Sequence, residues 1–588
     1  MAGDKVPFAE EDSMKMGLLA DEDRRAGSGV TTLNYGYVEE VKRIGFLAGP
    51  MVAVNFSQYF LQVISVMMVG HLGELWLSSS AIAVSFCAVT GFSLLFGMAS
   101  VLEPLCGQAY GAQQYGKLGN QTYGAIFCLM LVCIPLSILW IYMGDLLTLI
   151  GQDPQISHEA GKFAMWLLPA MYAYATFQPL VRFFQAQSLI IPMLVSSCYT
   201  FCFHIFLCWA LVFKFGLGNN GAAFAISISY WLNVLFLVLY LKYSSSCEKT
   251  RVPKTMDLFK GIREFFHFAI PSAFMICLEW WSFELLTMLS GLLPNPKLET
   301  SVLSVCLAIT SALYPIPEGL GAAASTRISN ELGAGNAKAA GRSAFIVMLI
   351  VVSESVLVSA TLFTSGHVFG YVFSNEKEVV DYVTAMAPLL CISVILDSLC
   401  VTLSGIARGS GWQDLGAYIN LVAYYFCGVP IAILLGFWLQ LRGKGLWMGM
   451  QAGALLQSVL LFIITSCTDW EKKGLVDEAK VDSFNIPIYY PSSEKVIAIV
   501  EKQGWFKIEQ IQEIARPMIQ QLSKQDIEKY ALFVRGWAEV VVRDHFGVEI
   551  VDKIFNNFTE KLMKSGLLSD PSIAPAVDLF VLLMRTNN

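Results

Sequence analysis

The sequence predicts an all-α polytopic membrane protein, with twelve transmembrane helices in two parallel six-helix lobes and a small α/β soluble C-terminal fragment. Three observations predict it. The chain is 55% hydrophobic and only 14% charged, with a mean hydropathy of +0.57, whereas a soluble domain carries about 25% charged residues. The apolar runs are too long and too numerous for buried soluble helices. Landmarks in the first half also recur in the second at a near-constant offset.

Residues 1–43 are polar and mixed in charge, without the apolar core of a cleavable signal. They read as a flexible tail, with the first membrane helix as its own targeting signal. Apolar segments follow near 44–70, 81–107, 121–150, 161–188, 190–215, 219–243, 264–293, 300–324, 340–372, 380–408, 415–438 and 443–467. The organisation expected is a tail 1–43, a first lobe 44–243, a loop with the second lobe 244–467, and a fragment 474–588. The sixth-to-seventh connection carries Lys242, Lys249, Arg251, Lys254, Lys260 and Arg263, and the eighth-to-ninth carries Arg327, Lys338 and Arg342. The 71–80 connection has no Lys or Arg. This bias places both ends of the transmembrane domain in the cytoplasm.

The repeat is read from four landmarks. Aligning GQAYGAQQYGKLG with NELGAGNAKAAG pairs Gly111 with Gly333, and QAQS pairs with ARGS at Ser188 and Ser410, both at an offset of 222. Pro50 pairs with Pro271 at 221, and Gly221 with Gly445 at 224. Six helices per half is an even number, so both halves start on the same side and are parallel repeats. In repeat transporters the substrate site lies between the halves, near the midplane.

Carboxylates inside the apolar segments are the candidate chemistry. FAIPSAFMICLEWWSFELLTMLSGLL, Phe268 to Leu293, would be about 39 Å long as a helix. It nevertheless holds Glu279 and Glu284. Each such charge costs roughly 2.5–3.5 kcal/mol on insertion scales. Glu279 lies eight residues after Pro271, where the first half has Gln58 eight after Pro50. Asp397 has Ala175 as its counterpart. The asymmetry points to one half holding an ion or proton site. A carboxylate short of water favours its neutral form and can load and release protons. A structural carboxylate held by a hydroxyl or an Arg is the competing reading.

Glu103, near the end of the second segment, suits a capping or gating contact with a basic loop residue. Glu318 follows Pro315 and Pro317, which should break the eighth helix, and it is balanced between cavity and structural roles. Trp280, Trp281, Tyr59, Tyr424 and Tyr425 could form aromatic walls that attract organic cations. Ordinary packing explains any one of them as well.

The net charge of −7 speaks against a nucleic-acid partner. The 14 cysteines are scattered through apolar segments and suit small hydrophobes better than zinc ligands. Beyond Trp470 the sequence turns polar. Residues 495–520 and 525–566 show helix-like spacing, and 580–585 reads as a strand.

CGQAYGAQQYGKLG, LEWWSFELL, ASTRISNELGAGN and SGIARGSGWQ, in that order, resemble the plant multidrug and toxic compound extrusion (MATE) transporters of the DETOXIFICATION type, over about residues 35–470. The resemblance implies a proton-coupled antiporter exporting organic cations, alkaloids or flavonoid conjugates at a vacuolar or plasma membrane. Its partners would be small organic substrates, protons and membrane lipid, with no organic cofactor. It places the essential acids on Glu279 and Asp397, and a proline that bends with protonation on Pro50. Gln58, Glu284, Glu318 and Trp280 are expected around the cavity. A sodium-coupled exporter is the nearest alternative.

The tail segments GLVDEAKVDSFNIPIYYPSSEKVIAIVEKQGWFKIE and RGWAEVVVRDHFGVEIVDKIFNNF resemble the C-terminal end of SABATH carboxyl methyltransferases. That resemblance puts Mg²⁺-site residues on Asp482, Phe484 and Asn485. The S-adenosylmethionine-binding part is missing, so an inactive fragment is expected rather than a bifunctional methyltransferase.

Overall fold

The computed structural model describes residues 31–251, 262–373, 377–468, 470, 497, 500, 506–515, 524–546, 548–565 and 577–585. It divides into two compact units, Met1–Glu471 and Lys472–Asn588.

The first unit consists of long helices: α1 Thr31–Gly70, α2 Glu74–Gly111, α3 Tyr115–Ile141, α4 Pro154–Ala186, α5 Ile190–Lys214 and α6 Gly218–Tyr243. The second half continues with α7 Ile262–Ser290, the pair Pro296–Leu313 and Pro315–Gly333 as α8, α9 Ala337–Phe373, α10 Lys377–Gly409, α11 Gln413–Trp438 and α12 Arg442–Cys467. By length and composition 10 described helices can cross a membrane, or 11 with the α8 pair as one span. The remaining long helix, α4, has 33 residues and starts on a strong signal: Pro154 at its first turn and the Asp153 carboxylate accepting from the Gln155 and Ile156 amides.

One boundary differs from expectation and one expected break is present. α1 starts at Thr31 rather than near 44, because its polar first turns are held by an ion pair that hydropathy cannot register: Arg327 donates twice to Glu40, at 2.9 Å each. α8 breaks ahead of Pro315, as the proline pair requires, with a bend of 41°.

The repeat extends to backbone detail. Positive φ recurs at Gly73 and Asn295 and at Gln113 and Gly335, both 222 apart, and at Gly216 and Gln440 and at Gly218 and Arg442, both 224 apart. The π-helical turn Ala210–Lys214 recurs as Leu434–Trp438, again at 224. Such conformations survive where the residue type has changed.

The lobes meet through α2 against α7, and through α8 against α1 and α2. Helix backbones touch where glycines allow it. A side chain at Gly111 would collide with the Asn330 carbonyl, and one at Gly333 with the Gln108 carbonyl. Asn330 and Gln108 are themselves 222 apart, so the two contacts are mirror copies about the pseudo-two-fold. Gly97 against Ala273 and Gly319 against Val52 form a second reciprocal set.

In the second unit, β1 Phe506–Ala515 pairs antiparallel with β2 Val577–Arg585, and α13 Lys524–Phe546 packs on α14 Val548–Ser565. Ala538, Val542, Val551 and Phe555 form their shared core. Residues 506–515, read from spacing as helical, are a strand. Phe506, Ile508, Ile511 and Ile514 fit either period poorly, and pairing with β2 decides between them. Asp482, Phe484 and Asn485 lie outside the described residues.

The seam makes a stability prediction. Gly111→Ala and Gly333→Ala should each cost about 1–3 kcal/mol by overpacking, measured as thermal unfolding in detergent. Gly124→Ala, beside open space, should be neutral or slightly stabilising. Equal stability of all three variants would contradict the close approach of α2 and α8.

Candidate functional site

Each lobe carries polar groups in its apolar interior, and the two interiors differ in charge. In the second lobe, Glu279 on α7 is buried, and its Oε2 accepts from Gln457 Nε2 on α12 at 3.4 Å. The same Nε2 reaches Ser404 Oγ on α10 at 3.3 Å, and Tyr424 on α11 donates its hydroxyl to Gln457 Oε1 at 2.8 Å. Gln457 is fully buried and ties four helices together.

Asp397, on α10, is half-buried and lies within electrostatic range of Glu279. One turn further along, the Cys400 thiol is 3.0 Å from Ser458 Oγ and 3.1 Å from the Ala454 carbonyl. Asn420 of α11 donates to the Met275 carbonyl of α7 at 2.6 Å, which holds α11 beside the acid-bearing turn. The structure thus places the two predicted acids in one lobe, on α7 and α10, within electrostatic range of each other.

The first lobe answers with neutral groups. Gln58, the counterpart of Glu279, is half-buried on α1. Asn233, the counterpart of Gln457 (457 − 224 = 233), accepts from Ser196 at 2.8 Å and donates to Ser197 at 3.3 Å. His204 is fixed between Ser65 at 3.0 Å and Ser229 at 2.8 Å.

Other predicted residues line the seam between lobes. Trp280 stacks on Phe96 of α2, with centroids 5.9 Å apart, and Trp281 donates to the Val89 carbonyl at 3.0 Å. Glu284 accepts from Ser85 of α2 at 3.0 Å, so it binds the opposite lobe rather than joining the acid pair. Pro50 and Pro271 both lie inside their helices. Glu318 is half-buried on α8, within electrostatic range of Arg182 and Arg408.

Glu103 corrects the expectation of a loop partner. Its carboxylate is buried between Arg182 of α4 at 3.2 Å and Arg408 of α10 at 3.0 Å, both on helices. Among the described residues, no group of three or more His, Cys, Asp or Glu is placed to hold a metal ion.

Sequence reasoning missed Gln457, Ser404 and the two arginines, and read Tyr424 only as an aromatic wall. Arg182 and Arg408 carried a signal, since each is a permanent charge in an apolar run. Gln457 carried almost none, because a single neutral amide in a membrane helix is ordinary.

Two lobes of membrane helices, pseudo-symmetric in backbone and unlike in where they place their buried charges, describe a transporter. A family model described as MatE matches residues 50–210 and 271–434. Protein DETOXIFICATION 14 of Arabidopsis thaliana is 62% identical over 463 residues, covering 79% of this chain and 95% of that protein. DETOXIFICATION 12 of the same organism is 55% identical over 468 residues, covering 79% and 97%. The crystal structure of the eukaryotic MATE transporter AtDTX14 superposes with a TM-score of 0.73 at 63% identity, covering 75% of this chain and 98% of that one. The chain belongs to the MATE family of transporters. A second model, described as SAM dependent carboxyl methyltransferase, matches residues 448–586, beginning inside α12.

The hydrogen bonds of Gln457 predict a specific loss. Tyr424→Phe leaves Gln457 Oε1 buried without its donor, a penalty of about 1–3 kcal/mol. Thermal unfolding should fall accordingly, while Tyr418→Phe, at an exposed position, should leave it unchanged. An unaffected Tyr424→Phe would remove this bond from the account.

Proposed function

We propose that the protein is a proton-coupled antiporter that exports organic compounds, among them xenobiotics, alkaloids and flavonoid conjugates, by alternating access. The observation that carries this reading is the Glu279–Asp397 pair in the second lobe, set against Gln58 and Ala175 in the first. A proton arriving from the acidic side neutralises one acid and changes what Gln457 must satisfy. Gln457 bonds α7, α10 and α11 at once. Its rearrangement therefore alters how the acid-bearing lobe packs. Coupling follows if proton and substrate favour opposite-facing states.

The basic residues Lys242, Lys249 and Arg251, at and beyond the end of α6, and Arg327, Lys338 and Arg342, flanking the α8–α9 turn, support an orientation with both ends of the transmembrane domain cytoplasmic. Export then runs toward the vacuole lumen or the cell exterior. Sodium could occupy the same carboxylates, and flux at fixed pH with and without sodium separates the two couplings. The match at 448–586 supports descent of the tail from a carboxyl methyltransferase. Without the donor-binding part we assign it no methyl transfer.

Reconstituted vesicles with an imposed pH gradient test the reading. Wild type should accumulate organic cations or flavonoids, and Glu279→Gln should fold and lose proton-driven accumulation. Asp397→Asn should behave similarly if the two acids share the proton load, since their titrations are then coupled. Wild-type accumulation by a well-expressed Glu279→Gln variant would exclude Glu279 from coupling. Truncation after Lys473 should leave transport unchanged, and loss of transport would show that the tail contributes.

A further inference from the structure

Four charged side chains outside the acid pair lie between the lobes: Glu103 on α2 and Arg182 on α4 in the first lobe, Arg408 on α10 and Glu318 on α8 in the second. Glu103 Oε1 is 3.2 Å from Arg182 Nη1, and Arg408 Nε donates to Glu103 Oε2 at 3.0 Å. Glu103, Arg182 and Arg408 have side chains at most 8% exposed. Arg182 is also held within its own lobe, donating to Gln185 Oε1 at 2.9 Å and lying 5.0 Å from the Phe96 ring centroid. Glu318 is half-buried and interacts electrostatically with both arginines.

The ion pair between lobes is therefore Glu103–Arg408. It sits toward the ends of α2 and α10, on the same side as the reciprocal contacts of Gly111 and Gly333. A second ion pair between lobes, Glu40 with Arg327, lies on that side too. No counterpart exists under the repeat, where Glu103 aligns with Ser325, Arg182 with Ser404 and Arg408 with Ala186. The helix seam is symmetric, and the charges on it are not.

Separating the lobes on this side must break Glu103–Arg408. Stranding either charge in a buried site would be strongly unfavourable. The arrangement supplies a partner to each side of the break. Glu103 keeps Arg182, 3.2 Å away, within the first lobe, and Glu318 of the second lobe lies within electrostatic range of Arg408. We propose that Arg408 is a carboxylate-exchanging latch, paired with Glu103 while this side is shut and with Glu318 when it opens. Each lobe then departs as a neutral pair. Glu103 and Glu318 are positioning residues for the change of facing. The proposal rests on the alternating-access reading, but not on protons as the coupling ion.

Hydrogen–deuterium exchange on the full-length protein in nanodiscs tests it through segments 103–114 and 325–336, which face each other across the seam. Glu103→Gln removes the closed-state partner and should speed exchange there relative to wild type. Glu318→Gln removes the open-state partner and should slow it. A merely structural role would speed exchange in both variants, and that result, or no change in either, overturns the latch. If Glu103→Gln fails to fold, the charge-deleting double variant Glu103→Gln/Arg408→Gln takes its place and should also speed exchange, whereas wild-type exchange in it overturns the proposal. Opposite shifts in these variants alongside wild-type coupling in Glu279→Gln would keep the latch and reject the proton site.

Discussion

A carboxylate carried into an apolar helix must find a donor, meet a cation or give up its charge. That constraint organises this protein. Glu103 meets two arginines, Glu40 meets Arg327, and Glu284 meets a serine hydroxyl. Glu299, almost fully buried at the start of α8, accepts from Tyr382 and from the Gly443 amide at the first turn of α12, 3.0 Å each. Glu279 and Asp397 have less compensation than these four. Glu279 has one long bond from a neutral amide, and Asp397 has a like charge for a neighbour. In both, a change of protonation alters the local electrostatic balance.

The pseudo-two-fold separates scaffold from function. What repeats is backbone: the left-handed turns, the π-helical turns and the glycine contacts of α2 with α8. What fails to repeat is charge. Gln58 stands for Glu279, Ala175 for Asp397, and Ser404 for Arg182. A symmetric hinge permits two facing states of similar packing energy, and asymmetric charge lets ligands choose between them.

Much of this was legible in the chain. Periodicity and length revealed the helices, and the offset near 222 identified the repeat through glycines that close packing demands. Insertion cost together with the asymmetry of the repeat singled out Glu279 and Asp397. Partnerships were harder, because Gln457 and Tyr424 acquire their roles only when α7, α10, α11 and α12 converge. Glu103 was recognised as a contact residue, yet its arginines lie 79 and 305 positions away (182 − 103 and 408 − 103), beyond any local pattern. Hydropathy placed the start of α1 too late, since an ion pair across the lobes sustains its polar turns. Strand β1 was misread because its partner lies some sixty residues downstream.

The central claim is that substrate and proton compete through the acid pair of the second lobe. Substrate-induced proton release measures it most directly. Purified protein in weakly buffered, sodium-free detergent solution is mixed with a transported cation, and a pH-sensitive dye records released protons. The account predicts release from wild type over the range where the pair titrates, and none from the double variant Glu279→Gln/Asp397→Asn that still binds the cation. Equal release from both proteins, or binding by wild type without release at any pH, would contradict it.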